Sequence, residues 1–284
     1  MAERLRAGFV GVGDMGGPMA RHIIQAGFPT TLWARRPASL EKYGGLSFRT
    51  ASDLVDLGLS SDVCGVCVFS DEDTRQVCLG EAGVLAGMQP GSVLLLHPTI
   101  QPETVIEIAE AGEARGVAVL DAPVAGTVVR AEEGDLSVIV GGDAAGFEKA
   151  MPVMQAYGRT IQLMGQVGSG VRMKTLNNLL TRINLGMAYQ ALEMGVKLGM
   201  DRAAVLTILR SASADSFMMN FLADRILPNP GYAKHLVTMG EKDNALFVRL
   251  RQAAGLPPSA LEDAAQQGIV AFHEIGALAA EKAD

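Results

Sequence analysis

The stretch that most constrains this chain is Arg6 to Ile24, reading RAGFVGVGDMGGPMARHII. The apolar run Ala7 to Val10 has the length and composition of a buried strand. It runs directly into Gly11-x-Gly13-x-x-Gly16, and a helical pattern follows with Met15, Met19 and Ile23 on one face. Strand, tight turn and helix around three glycines form the dinucleotide-binding fingerprint in its required context. Gly11 permits the sharp turn, Gly13 lets the backbone approach a pyrophosphate, and Gly16 lets helix and strand pack closely. A diphosphate would rest on the leading N–H groups of the helix, where the dipole favours anions. Gly11, Val12, Gly13, Asp14, Met15 and Gly16 are therefore candidate cofactor contacts.

The second strand, Thr30 to Ala34, ends about twenty residues after the glycine turn, where such folds read the ribose. A carboxylate there would accept hydrogen bonds from the 2′-hydroxyl of NAD. This chain has Ala34 followed by Arg35 and Arg36, whose guanidinium forks suit a 2′-phosphate, so the expected cofactor is NADP rather than NAD.

Strands and helices then alternate. Helical patterns cover Ala51–Leu59, Asp73–Leu79, Pro102–Arg115 and Ala144–Ala156; strand patterns cover Val63–Phe69, Val93–His97, Val117–Asp121 and Leu136–Val140. Such alternation means a mostly parallel sheet covered on both faces, with ligands at the carboxyl ends of its strands. The informative loops are those after Phe69, Leu96 and Asp121. Beyond Gly165-x-x-Gly168-x-Gly170 the pattern is helical throughout, led by a long helix over Val171–Leu198. The expected fold is α/β: an N-terminal Rossmann domain over 1–164 and an all-α domain for substrate and dimerisation over 165–284.

Composition sets outer bounds. With 49% hydrophobic and 19% charged residues, the 284-residue chain can bury sizeable cores. Its net charge of −7 argues against nucleic-acid binding. No apolar run reaches membrane-span length, and no leader precedes the first strand, so a cytoplasmic location is expected. Three cysteines do not make a disulfide framework. Cys64 and Cys67 have redox spacing but lie on a strand pattern, where residues three apart face opposite ways. His22, His97, His235 and His273 have no partners at ligand spacing, so no metal is expected.

Hydride chemistry on an alcohol or carbonyl needs a proton donor or acceptor beside the reacting carbon. Lys174 and Asn178 share one face of the long helix at four-residue spacing, with Asn177 about a quarter-turn away. On spacing alone the same pattern fits a surface lysine with a polar neighbour.

Four segments carry a resemblance. They are Gly11-Val-Gly-Asp-Met-Gly-Gly-Pro-Met-Ala20, Asp121-Ala-Pro-Val-Ala-Gly-Thr127, Gly168-Ser-Gly-Val-Arg-Met-Lys-Thr-Leu-Asn-Asn178, and Lys242-Asp243. In this order they resemble the β-hydroxyacid dehydrogenase family, whose members include 3-hydroxyisobutyrate dehydrogenases and tartronate semialdehyde reductases. The resemblance implies a small 3-hydroxyacid or semialdehyde substrate, Lys174 as general acid/base and Asn178 as its substrate-side partner. It places Lys242 near the nicotinamide ribose and substrate, and Phe69, Ser70 and Thr99 along the cofactor. Ala125, Gly126 and Thr127 become the substrate loop, with Ala125 standing where the family has serine and Thr127 where it has glycine. Leu96-His97-Pro98 replaces a polar stretch, and Glu274 stands where many members have Asp. His97 reads as a strand-end histidine satisfied by backbone, with a substrate contact as the other reading. The family's long interdomain helix usually packs on a second subunit, which implies a homodimer or homotetramer. Two alternatives remain: an imine-reductase-like enzyme, in which the lysine is commonly Asp or Tyr, and a protein that senses NADP(H) without turnover.

Overall fold

Alternate residues of each central strand feed two separate cores, and this sets the architecture of the N-terminal half. Val93 and Leu95 join one apolar cluster while Leu94 and Leu96 join the other. Val63 and Cys64 divide in the same way. A strand buried on both faces must have helices on both faces. The computed structural model describes residues 4–281.

The chain divides into two compact units, Met1–Lys174 and Thr175–Asp284. The first begins with β1 (Ala7–Val10), α1 (Gly16–Gln25) and β2 (Thr30–Trp33). A 3₁₀ helix over Pro37–Tyr43, β3 (Arg49–Thr50), α2 (Leu54–Leu59), β4 (Val63–Val66), α3 (Asp71–Cys78) and α4 (Val84–Gly87) come next. Then follow β5 (Val93–Leu96), α5 (Pro102–Glu113), β6 (Ala118–Asp121), β7 (Val124–Ala125), α6 (Val128–Glu132), β8 (Leu136–Gly141), α7 (Ala144–Met154) and β9 (Gly158–Gly165). The strands form one sheet in the order β3-β2-β1-β4-β5-β6-β8-β7, with β9 also on β8. From β3 to β6 every pairing is parallel, whereas β8 runs antiparallel to β6 and β7. The order reverses between β1 and β4, which is the switch point where ligands bind in such sheets.

The expected elements are present with shifted ends. The strand expected over Val63–Phe69 stops at Val66, because the chain leaves the sheet for Ser70, whose hydroxyl caps α3 by accepting from Asp73 N. The same cap starts α3 at Asp71, two residues early. β9 was not expected; its exposure alternates along an edge position, and its apolar residues are too few to stand out.

The second unit is helical. α8 (Ser169–Lys197) enters it from the first, followed by α9 (Arg202–Ser211), α10 (Phe217–Phe221), a π-helical stretch over Leu222–Ile226, α11 (Tyr232–Ala253) and α12 (Ala260–Glu281). α8 and α12 cross where Gly186 meets Gly268. A Cβ on Gly186 would lie 2.4 Å from the Gly268 Cα, so the crossing excludes side chains.

Asp121, at the end of β6, fixes the start of α8. Its Oδ1 accepts from Gly168 N at 2.7 Å and its Oδ2 from Val171 N at 2.8 Å. These are leading N–H groups of the helix, which have no partner within it. The fit leaves no room for side chains, since a Cβ on Gly141 would come within 2.4 Å of Asp121 Oδ1. Burial pushes the Asp121 carboxyl up to about 6, against the pull of its N–H donors. A carboxyl raised above its unfolded value favours the fold when protonated, and that contribution is lost as pH rises through about 6. Wild type should therefore lose unfolding free energy relative to Asp121→Asn as pH is raised from about 4 to about 7. Denaturant titrations across that range check this, and a flat difference would place the carboxyl at an ordinary value.

Candidate functional site

The sheet gathers most of the expected cofactor residues at one edge. The segments after β1, β2, β4 and β5 all leave the carboxyl ends of parallel strands, so Gly11–Gly16, Arg35–Arg36, Phe69–Ser70 and Thr99 lie along that edge. The three glycines differ in the way their proposed tasks require. Gly11 has φ +91°, and a Cβ there would strike the Cys67 carbonyl oxygen at 2.2 Å. A Cβ on Gly16 would lie 2.1 Å from Gly11 O, so helix and turn touch backbone to backbone. Gly13 is exposed, with nothing within 4 Å of an added Cβ, so its backbone can be approached from outside. No side chain caps α1 and its first turn carries no acid; Gly17 N donates to Gly13 O and Pro18 has no N–H, so an anion would rest on the N–H groups that precede them. An open Gly13 before an uncapped helix start fits a dinucleotide diphosphate.

The turn is also braced by residues the motif does not include. Lys42, on the 3₁₀ helix, donates from Nζ to Val12 O at 2.5 Å, and the Tyr43 hydroxyl donates to Gly17 O at 3.0 Å. Burial lowers the Lys42 pKa, partly opposed by the Asp14 carboxylate. No local signal marks Lys42, because the contact spans thirty residues.

Arg35 and Arg36 are both exposed after β2. Arg35 pairs only loosely with Asp73, at 3.8 Å. An exposed pair of this kind is worth about 0–1 kcal/mol, so it does not hold the guanidinium against a stronger ligand.

The segment expected to form the substrate loop follows β6. Ala125 ends the short β7, paired with Ser137 on β8. Gly126 has φ +147°, a conformation that side chains rarely adopt, and its Cβ would meet Leu136 at 2.7 Å. Thr127 caps α6, its hydroxyl accepting from Arg130 N at 3.4 Å. That long bond leaves the hydroxyl its own proton to donate.

His97 serves the fold. It is 3% exposed; its Nδ1 lies 2.7 Å from Ala122 O and its Nε2 3.3 Å from the Tyr157 hydroxyl. Phe9 stacks on the ring with centroids 5.9 Å apart. Burial pushes its pKa down to about 4, so the ring is neutral, with Nδ1 donating to the carbonyl. Both nitrogens are thus engaged inside the core, in line with the backbone-satisfied reading.

Lys174 and Asn178 lie one turn apart on α8, both partly exposed. In the second unit, Asn178 Nδ2 donates to Asp243 Oδ2 at 2.9 Å. Lys242 therefore belongs to the segment of α11 that Asn178 touches. Asp243 in turn pairs with Arg182 at 2.5 Å, and both are buried. The sequence did not single out Arg182, although a signal was there. It follows Lys174 and Asn178 at two successive four-residue steps, a cation among the apolar Leu179, Leu185 and Tyr189 of the buried helix side.

The chain matches two family models end to end. Residues 6–165 match the NAD-binding domain of 6-phosphogluconate dehydrogenase. Residues 168–282 match the NAD-binding domain of NADP-dependent 3-hydroxyisobutyrate dehydrogenase. The 3-hydroxyisobutyrate dehydrogenase of Pseudomonas aeruginosa is 34% identical over 212 residues, covering 75% of this chain and 71% of that protein. The 3-hydroxyisobutyrate dehydrogenase of Mycobacterium tuberculosis, solved with L-serine, shares the fold with a TM-score of 0.80 at 21% identity, covering 96% of this chain and 99% of its own. Psf3, solved with NADP+ and 2-OPP, shares it with a TM-score of 0.78 at 24% identity over 94% and 93% of the two chains. On the family match and the hydroxyacid dehydrogenase relatives together, the chain belongs to the β-hydroxyacid dehydrogenase family of NAD(P)-dependent oxidoreductases that act on CH–OH groups.

Proposed function

We propose that the protein is an NADP-dependent dehydrogenase or reductase for a small 3-hydroxyacid and its semialdehyde, with Lys174 as general acid/base. The observation that carries this reading is the pairing of Lys174 with a rigidly held Asn178 on α8, within a family whose relatives are hydroxyacid dehydrogenases. The nicotinamide supplies or accepts the hydride. The chain's own residues handle the proton and the geometry. Lys174 gives its proton to the carbonyl oxygen as that oxygen gains charge, and takes it back in the oxidative direction. Asn178 hydrogen-bonds the same substrate oxygen, and Lys242 lies beside the nicotinamide ribose. The backbone N–H of Gly126 and the hydroxyl of Thr127 receive the substrate carboxylate, with Ala125 contributing no hydrogen bond. L-serine in the mycobacterial neighbour is itself a 3-hydroxyacid, which supports that substrate class.

NADP follows from Arg35 and Arg36 at the ribose position, with Gly11–Gly16 under the diphosphate and Phe69, Ser70 and Thr99 along the cofactor; Psf3 with NADP+ supports it. The working assembly is a homodimer or a homotetramer. α8 exposes Leu176, Leu180, Met187 and Met194 along one side, and exposed Leu198 follows directly after its end. α9 has no buried residue. A stripe of this length is covered in a second copy of the chain. Among the described residues no helix is long and apolar enough to cross a membrane, so a bilayer-spanning helix does not account for it.

Three outcomes test this reading. Lys174→Ala should bind NADPH normally while kcat for 3-hydroxyisobutyrate oxidation falls about 10²–10⁴-fold, the usual contribution of a positioned acid or base. Near-full kcat would remove Lys174 from the chemistry. Arg35→Ala should weaken NADP by about 1.5–3 kcal/mol, tenfold or more, and leave NAD little changed. Calorimetry showing equal losses for both cofactors would overturn the 2′-phosphate assignment. Leu180→Glu should shift the protein toward monomer in sedimentation; an unchanged assembly would show that this stripe is not the interface.

A further inference from the structure

Everything that fixes Asn178 comes from one buried ion pair. Arg182 donates from Nη1 to the Asn178 backbone oxygen at 2.8 Å, and from Nη2 to Met239 O at 3.1 Å and to Asp243 Oδ2 at 2.5 Å. The same Asp243 oxygen accepts from Asn178 Nδ2 at 2.9 Å. One guanidinium therefore holds the Asn178 backbone directly and its side chain through a single carboxylate. The slot around Arg182 is shaped by glycines. A Cβ on Gly240 of α11 would lie 3.2 Å from its Nε, and one on Gly268 of α12 would lie 2.7 Å from its backbone oxygen. Asp243 is 1% exposed and Arg182 9%.

This arrangement sets the polarity of the Asn178 carboxamide. A carboxylate oxygen paired with a guanidinium only accepts, so Nδ2 must face Asp243 and Oδ1 must turn away. The reverse orientation would set two oxygens against each other in a buried place. Asn177 Nδ2 approaches Oδ1 only at 3.5 Å, the outer limit of a hydrogen bond. A pair serving stability alone can often be replaced by apolar residues without loss. This pair instead spends one donor and one acceptor on a single partly exposed residue, Asn178, with a further donor on Met239 O.

We propose that Arg182 and Asp243 are positioning residues for Asn178. They lock its carboxamide with Nδ2 on Asp243 and Oδ1 turned away from the pair, which fixes the group that Asn178 presents one turn from Lys174. The proposal rests on the reading above that Asn178 meets substrate.

The test exchanges the two side chains. In Asn178→Asp two carboxylates face each other, and above neutrality the new one swings away. In the double variant Asn178→Asp with Asp243→Asn, the amide of residue 243 donates to the carboxylate of residue 178, whose second oxygen takes the place of Oδ1. With 3-hydroxyisobutyrate and NADP+ above neutrality, Asn178→Asp should lose kcat by about 10²-fold, the cost of a small misplacement at the reacting group. The double variant should regain about tenfold or more of that loss. Affinity for NADP+ should stay within about twofold throughout, since residues 178 and 243 are not among the proposed cofactor contacts. A double variant that recovers melting temperature but not kcat would show the pair to be structural only and would overturn the proposal. If wild type turns over no hydroxyacid, the substrate reading fails, and crystal structures of the two variants decide the positioning claim separately. The residue 178 side chain should leave its wild-type rotamer in Asn178→Asp and return to it in the double variant. An unmoved side chain in Asn178→Asp overturns the proposal.

Discussion

The structure depends on a carboxylate at the end of a strand that receives the start of a helix. Asp121 closes β6 and accepts from two backbone N–H groups at the entrance to α8. Its carboxyl therefore joins sheet to helix at the residue where the substrate loop begins. The loop carrying Ala125, Gly126 and Thr127 leaves that point in one direction, and the helix carrying Lys174 starts at it in the other. Gly170 and Gly141 are glycine because the join is backbone on backbone: a Cβ on Gly170 would come within 2.5 Å of Ile139 O. Burying the carboxyl raises its pKa, and the helix N–H groups oppose that rise, so the join is held by donors rather than by solvent.

What could be read in the sequence was what is local. The glycine turn was legible because its three glycines lie within six residues, between a strand run and a helical pattern. The alternation of strands and helices was legible because strands buried on both faces are nearly continuous apolar runs. β9 was hidden since an edge strand half in solvent has a diluted pattern. The Asp121 cap, the Lys42 brace and the Arg182–Asp243 pair were hidden for another reason. Each joins residues thirty to sixty positions apart, and nothing in the spacing of Lys42 points to Val12. Lys174 and Asn178 fall between these cases. Their spacing named a helix face, and only the resemblance of the surrounding motif separated that face from an ordinary solvated one.

Two of the departures from the family pattern, Ala125 and Thr127, fall on the expected substrate loop. Ala125 removes a hydroxyl, and the position of Thr127 at the cap of α6 divides its hydroxyl between helix and loop. The backbone conformation at Gly126 is one that only glycine takes easily, so the loop keeps its shape while its polarity changes.

The three thiols carry a consequence of the two-faced sheet. Cys64 faces one core and Cys67 packs against the other, with Cys78 sharing the first. Burial holds the Cys64 thiol up at about 12, so in the folded state it is almost never the thiolate that reacts with alkylating agents. Its labelling must wait for the sheet face to open. The two cysteines nearest β1 thus act as native clocks, one on each side of the same strands. Their alkylation rates, followed residue by residue, would report whether the helical layers over the sheet come away together or one at a time.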